Sequence, residues 1–319
     1  MLLHSFSRRF GLGSALLRIR RAIDHGPTVE VNVFLAKRRH MRMLTAFRPL
    51  DSGAGSLDCF MLLNEARIWE GLWSLYSFRH YFGPCRIVVL NDGTLSPSSI
   101  SLLRMMFPGI FVPDCDANDT ESDSFLMRRG LKLCREWRRS FVFFRKLADT
   151  VRLRQAERIV LLDSDCLHFD VPAEVIDWAV RSKRVRYIAD SNKHSLCTTP
   201  AKLNTLCGFQ VPDYFCAGYL CLPANALDLY RVEGYLGEEC FERQLSTKRF
   251  SHVAEQTLYA MEAAVIGADI LPANYATCPD LDFQQVTMGH FCGGSYKRTW
   301  FYTKGLPLVG CRISRCSHP

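Results

Sequence analysis

The chain has 319 residues, 48% of them apolar, with 40 Lys+Arg against 32 Asp+Glu. Apolar content at this level excludes a disordered chain, and 20 Gly with 14 Pro exclude collagen-like or low-complexity sequence. The +8 excess is local, because residues 1–48 hold ten basic and two acidic side chains and leave 30 of each for the rest; a nucleic-acid-binding domain would spread Lys/Arg over a folded face.

Residues 1–27 are basic and amphipathic, with Leu16, Leu17 and Ile19 between Arg18, Arg20 and Arg21, until Gly26-Pro27. Three readings stand side by side: a solvated tail, a weak contact with an anionic membrane surface, or an Arg-rich transit segment. Residues 28–56 stay basic and end in a Gly/Ser linker, Asp51 to Ser56. This gives an arm and linker over 1–56, a body over 57–305 and a tail over 306–319.

The body alternates strand and helix patterns, which predicts an α/β fold. Leu57–Leu63 is a short apolar strand, and Ile68, Leu72 and Leu75 then mark a helix to about His80. Arg86–Leu90 is a β-branched strand ending in an Asn91-Asp92-Gly93 turn. Ser96-Pro97 opens a helix with Ile100, Leu103 and Phe107 on one face. Asp114–Asp123 reads as an acidic loop. Phe144, Leu147 and Val151 mark a further helix, Arg158–Leu162 a buried strand, Pro172 a helix start and Arg186–Ala189 another strand.

The longest charge-free runs, Tyr214–Leu227 and Phe283–Tyr296, are fourteen residues each, too short to span a bilayer. Met1–Leu17 has no apolar core of the secretory kind. The 14 cysteines show no Cys-x-x-Cys, so a zinc ribbon is not expected and reduced, mostly buried thiols are. The expected location is cytoplasmic, with peripheral membrane contact through the arm.

Leu161-Leu162-Asp163-Ser164-Asp165 concentrates the chemistry. A buried strand ends in two carboxylates one residue apart, at the edge where α/β folds bind ligands. Two carboxylates aimed at one point repel unless a cation lies between them. Oxygen donors suit Mg²⁺ or Mn²⁺, which commonly bridge to a substrate's phosphates.

Four further stretches accompany it: Arg145-Lys146-Leu147 ahead of the strand, Tyr214-Phe-Cys-Ala-Gly-Tyr-Leu-Cys-Leu222, Glu255-Gln256 before the helical run Thr257–Ala264, and Gly289-His290-Phe-Cys-Gly-Gly-Ser-Tyr-Lys297-Arg-Thr-Trp300. In order and spacing, 57–305 resembles the family-8 glycosyltransferases, the glycogenin and bacterial galactosyltransferase-like enzymes. Cys216 stands where that family has Asn. The last stretch has one extra residue and lacks a Pro.

The resemblance implies a GT-A type, Rossmann-like α/β/α sandwich around a mostly parallel sheet. It implies transfer of a sugar from a nucleoside-diphosphate sugar to a glycan, lipid-linked or protein acceptor, with retention at the anomeric carbon. It places Mn²⁺ or Mg²⁺ on Asp163, Asp165 and His290, with the catalytic positions at Asp163, Asp165 and Gln256. Donor contacts then fall on Leu63, Asn64, Lys146, Ser164, Ala217, Gly218, Gly293 and Lys297, and no nucleic acid is expected. Stabilising charge on the departing diphosphate is the main demand of such a reaction. Asn91-Asp92 and Asp190-Ser191-Asn192 end strands on the same edge and are further contact candidates. Two other classes remain open: a binding protein that has lost turnover, and a sugar nucleotidyltransferase. The latter wants a glycine-rich loop after the first strand, where this chain has Asn64-Glu65-Ala66-Arg67.

Overall fold

The computed structural model describes residues 26–53, 55–191, 195–247, 251–277, 285–292 and 299–316. The chain divides into two compact units, Met1–Phe47 with Phe291–Pro319, and Arg48–His290. This division falls at 47 and 290, where the sequence pattern placed boundaries at 56 and 305.

The terminal unit opens with α1 (Pro27–Ala46), started by Pro27 at its first turn. No helix was expected there, because its inward stripe is thin: His40 and Leu44 are its buried residues. A π-helical turn, Phe301–Gly305, runs into α12 (Leu306–Cys316), which buries Leu306, Val309 and Ile313. Phe291 packs edge-on against Phe301.

The larger unit follows the expected α/β alternation. Its elements are β1 (Leu57–Leu63), a 3₁₀ turn (Glu65–Arg67), α2 (Ile68–Phe82), β2 (Arg86–Asn91), α3 (Pro97–Met106), α4 (Cys115–Arg128), α5 (Lys132–Ser140), α6 (Val142–Leu153) and β3 (Arg158–Leu162). Then come β4 (Cys166–His168), α7 (Ala173–Arg181), β5 (Val185–Ala189), α8 (Pro200–Cys207), β6 (Phe215–Pro223), α9 (Leu229–Leu236), α10 (Glu239–Thr247), α11 (Ser251–Ile266), β7 (Ala268–Ile270), β8 (Tyr275–Thr277) and β9 (Met288–His290).

The central sheet has the order β2-β1-β3-β6-β5-β7, and β6 alone runs against its neighbours. A second sheet, β4-β9-β8, carries the chain past the end of β3. One face of the large sheet packs Leu161, Leu220 and Phe60 against Phe144, Leu147, Leu258 and Met261 of α6 and α11. Tyr219 points to the other face, where its ring meets His168, Phe78 and Tyr275.

Three expectations are corrected. Asp114–Asp123 is not a loop: Asp114 caps α4 by accepting from the Ala117 N–H, and Asn118, Ser122 and Leu126 turn inward. The acids on its surface pair with arginines, Asp119 with Arg138 and Arg145 and Glu121 with Arg152. Glu255-Gln256 does not precede a helix but lies within α11. Asp51 to Gly53 is not a loose linker: Ser52 Oγ accepts from the Ile87 N–H, and the Ser52 N–H donates to the Pro108 carbonyl.

Candidate functional site

At the end of β3 the backbone of Asp163 is held from two sides. The Asp163 N–H donates to the Gly218 carbonyl, and Ser74 of α2 donates to the Asp163 carbonyl. The chain then turns through Ser164, which is buried, into β4, where Cys166 pairs with His290 of β9. That pairing brings a residue 125 positions away in sequence to the two carboxylates. A register shift in the β5–β6 ladder, with Ile188 opposite Cys216 and Tyr187 opposite Leu220, leaves Ala217 to Tyr219 bulged beside the site.

His290 Nε2 lies 3.2 Å from Asp165 Oδ1 and 3.8 Å from Asp163 Oδ2. The donor atoms of these three residues all fall within 4.8 Å of one another. Each carboxylate turns one oxygen to the histidine and the other to a cation. Lys146 donates to Asp163 Oδ1 at 2.7 Å, and Arg67 donates to Asp165 Oδ2 at 2.8 Å.

Gly218 makes room for the ring. A Cβ built there would lie 2.1 Å from His290 Cε1, so a larger residue and this imidazole position exclude each other. The other ring nitrogen, Nδ1, is 3.4 Å from Cys216 Sγ. The residue standing in place of Asn therefore touches the histidine.

Burial works to raise the Asp165 carboxyl, yet His290 and Arg67 hold it well below the usual carboxylate range. Burial works to lower Lys146, and Asp163 and Glu255 together keep it above the ordinary lysine value. Glu255 is pushed up to about 7, first by burial and then by the Asp163 charge, against the pull of Lys146. Burial alone would lower His290, but the sulfurs of Cys166 and Cys216 and the Asp165 carboxylate raise it well above the usual value.

The donor set fits a hard or borderline divalent cation. Two carboxylate oxygens and an imidazole nitrogen suit Mn²⁺ or Mg²⁺. Lys146 and Arg67 leave the facing oxygens Oδ2 of Asp163 and Oδ1 of Asp165 for such an ion.

The remaining expected residues take more varied places. Lys146 is 2% exposed and its ammonium faces Asp163 Oδ1, the Ala217 carbonyl and Glu255 Oε1. These contacts hold Asp163 and the β6 backbone. Gln256 accepts from the Ala217 N–H and donates to Asp190 Oδ2 and the Ser195 carbonyl, tying the bulge to the end of β5. The Leu63 carbonyl accepts from the Asp92 N–H, and Asn64 caps the 3₁₀ turn that presents Arg67. Gly293, Lys297 and Asn192 lie outside the described residues. Glu255 and Arg67 carry cluster contacts that the sequence reading did not assign. Arg67 is 98 residues from its partner Asp165, and no local pattern announces such a pair.

No family model and no curated protein sequence matches the chain. Among solved structures it is similar to mouse xyloside xylosyltransferase 1 in its apo form, with 12% identity, 78% of this chain and 99% of that one covered, and a TM-score of 0.48. It is similar to the galactosyltransferase LgtC in complex with donor and acceptor sugar analogues, at 13% identity over 80% and 95% of the two chains, with a TM-score of 0.46. Core-mannan synthase A of Aspergillus fumigatus in an Mn/GDP form follows at 8% identity over 71% and 76%, with a TM-score of 0.40.

Proposed function

We propose that this chain is a divalent-metal-dependent glycosyltransferase that moves a sugar from a nucleoside-diphosphate sugar to a glycan or lipid-linked glycan. One observation carries the reading. Asp163 Oδ2, Asp165 Oδ1 and His290 Nε2 converge at the carboxyl end of a buried parallel strand, and each carboxylate's second oxygen is held by its own cation. The order of motifs that resembles the family-8 enzymes supports the same reading.

Asp163, Asp165 and His290 would hold Mn²⁺ or Mg²⁺, which when bound would supply charge stabilisation for a departing diphosphate. The chain's own groups do the positioning. Lys146 and Arg67 orient the two carboxylates, and Gly218 admits the imidazole. Arg67 is half-buried, and Asp165 uses one end of its planar fork; the rest of the guanidinium is free to meet phosphate oxygens. Gln256 holds the Ala217 backbone and Asp190 at the sugar side of the edge. Retention of configuration goes with the family resemblance.

The test is turnover of a nucleotide-sugar panel with Mn²⁺ supplied, read as release of nucleoside diphosphate, with the product anomer followed by NMR. Asp165→Ala is expected to lower kcat/KM at least about a hundredfold, as for loss of one charge-stabilising group at a reacting centre. Turnover that survives this substitution overturns the proposal.

A further inference from the structure

The excess cationic charge belongs to the terminal unit. Residues 1–47 and 291–319, which make up the terminal unit, hold 14 Lys/Arg and two acids, Asp24 and Glu30. Residues 48–290 hold the other 26 basic and 30 acidic side chains. Among its described residues the unit carries Lys37, Arg38, Arg39, Arg42, Lys304, Arg312 and Arg315 against one acid, Glu30. Concentrating like charge this way destabilises a compact unit by self-repulsion and favours an anionic counterpart.

The display of that charge on α1 is specific. His40 and Leu44 face inward. On the opposite side Val31, Phe34 and Leu35 are each 56% exposed. Arg38 and Arg42 continue the same face at helical spacing and are exposed, with Arg39 beside them. The face is apolar over its first turns and cationic over its last. The Arg38 guanidinium lies 5.6 Å from the Phe34 ring centre, so the two halves touch. An open groove of about 360 Å³, lined in part by Leu35, Arg39, His40 and Tyr302, runs alongside. Lys304 and Arg315, on the π turn and α12, are exposed as well.

An anionic lipid surface takes both halves of this face. Apolar side chains enter the headgroup–acyl boundary while guanidinium groups pair with lipid phosphates and carboxylates. A nucleic acid would use the arginines and gain little from three exposed aliphatic and aromatic side chains. We infer that the terminal unit docks on an anionic bilayer surface through α1, with Val31, Phe34 and Leu35 inserted and Arg38, Arg39 and Arg42 at headgroup level. This docking does not depend on the chemistry proposed for the Asp163–Asp165–His290 cluster.

The full chain is to be sedimented with vesicles of phosphatidylcholine alone and with phosphatidylserine added, at low and high salt. Two variants accompany it, R38E/R39E/R42E and V31S/F34S/L35S, each checked for an unchanged melting temperature. The wild-type chain should bind the anionic vesicles at least tenfold more tightly than the neutral ones. The arginine variant should lose at least about a hundredfold of that affinity, since three cations near a charged surface act together. The apolar variant should bind at low salt and release at high salt, where screening leaves insertion as the main attraction. Equal partitioning to both vesicle types, or none, overturns the inference. So does tight RNA binding that the V31S/F34S/L35S variant keeps while vesicles fail to compete.

Discussion

In the Arg48–His290 unit the cations near the core are buried and committed. Lys146 is held among Asp163, Glu255 and the Ala217 carbonyl. Arg138 grips Asp149 with two nitrogens, at 2.6 and 2.9 Å, while Asn118 and Ser122 donate to the same carboxylate. In the terminal unit Arg38, Arg39 and Arg42 face solvent on one side of a helix. The same residue types therefore do two jobs. Placed and paired, they fix the geometry of a fold or site. Exposed and clustered, they create a field for a partner. Net charge alone hides the distinction, because the larger unit's basic and acidic groups almost cancel.

That contrast predicts a graded series of effects. The largest is at a buried pair. Arg138→Ala leaves Asp149 charged and without its main partner, and should cost about 3–5 kcal/mol of stability by denaturant titration. A loss below about 1 kcal/mol would show that the Asn118 and Ser122 bonds suffice.

Gly218→Ala comes next. Its new Cβ meets the His290 ring well inside contact distance, so the ring must move. Overpacking of this kind costs about 1–3 kcal/mol. The sharper readout is Mn²⁺ affinity, which should fall at least about tenfold, as for a displaced supporting group in a metal site. Unchanged Mn²⁺ affinity in a folded G218A protein would remove His290 from the ligand set.

His168 gives a pH signature. It is fully buried between Phe78 and Tyr219, both ring nitrogens lack partners, and burial pulls its pKa down to about 3. The unfolded chain binds this proton near pH 6.5 and the folded one does not. Its contribution is thus steady above that pH and is lost as pH falls toward 3, at up to about 1.4 kcal/mol per unit. His168→Leu should flatten the stability curve between pH 6 and 4, and an unchanged slope would contradict the assignment.

The smallest effect belongs to the exposed face. Arg38→Glu should change stability by no more than about 0.5 kcal/mol, although it weakens lipid binding. A large loss would mean that Arg38 is committed like Arg138.

How legible all this is in the sequence varies with the length scale of the signal. Asp163 and Asp165 stand out because a five-residue apolar strand runs straight into them. The sheet is legible for the same reason, as β1, β2 and β3 are short apolar runs. His290 and Gly218 needed the order of motifs, since β4–β9 pairing brings the first and β3–β6 pairing the second to the carboxylates only in three dimensions. Arg67 was not legible, sitting in a turn after β1 with no periodic context. Helix α4 was missed because its inward positions Asn118 and Ser122 are polar and bind Asp149, which imitates a solvated acidic stretch. Helix α1 was missed because its basic outer face outweighs the two buried residues on its inner side.

Calorimetry of nucleoside diphosphates with the full chain, run with Mn²⁺ and again with a chelator, asks whether Asp163, Asp165 and His290 bind the donor through a cation. Tight binding of at least one nucleoside diphosphate that needs Mn²⁺ and disappears in Asp165→Ala is expected. Binding that is indifferent to both Mn²⁺ and Asp165, or no binding across the panel, would contradict the proposal.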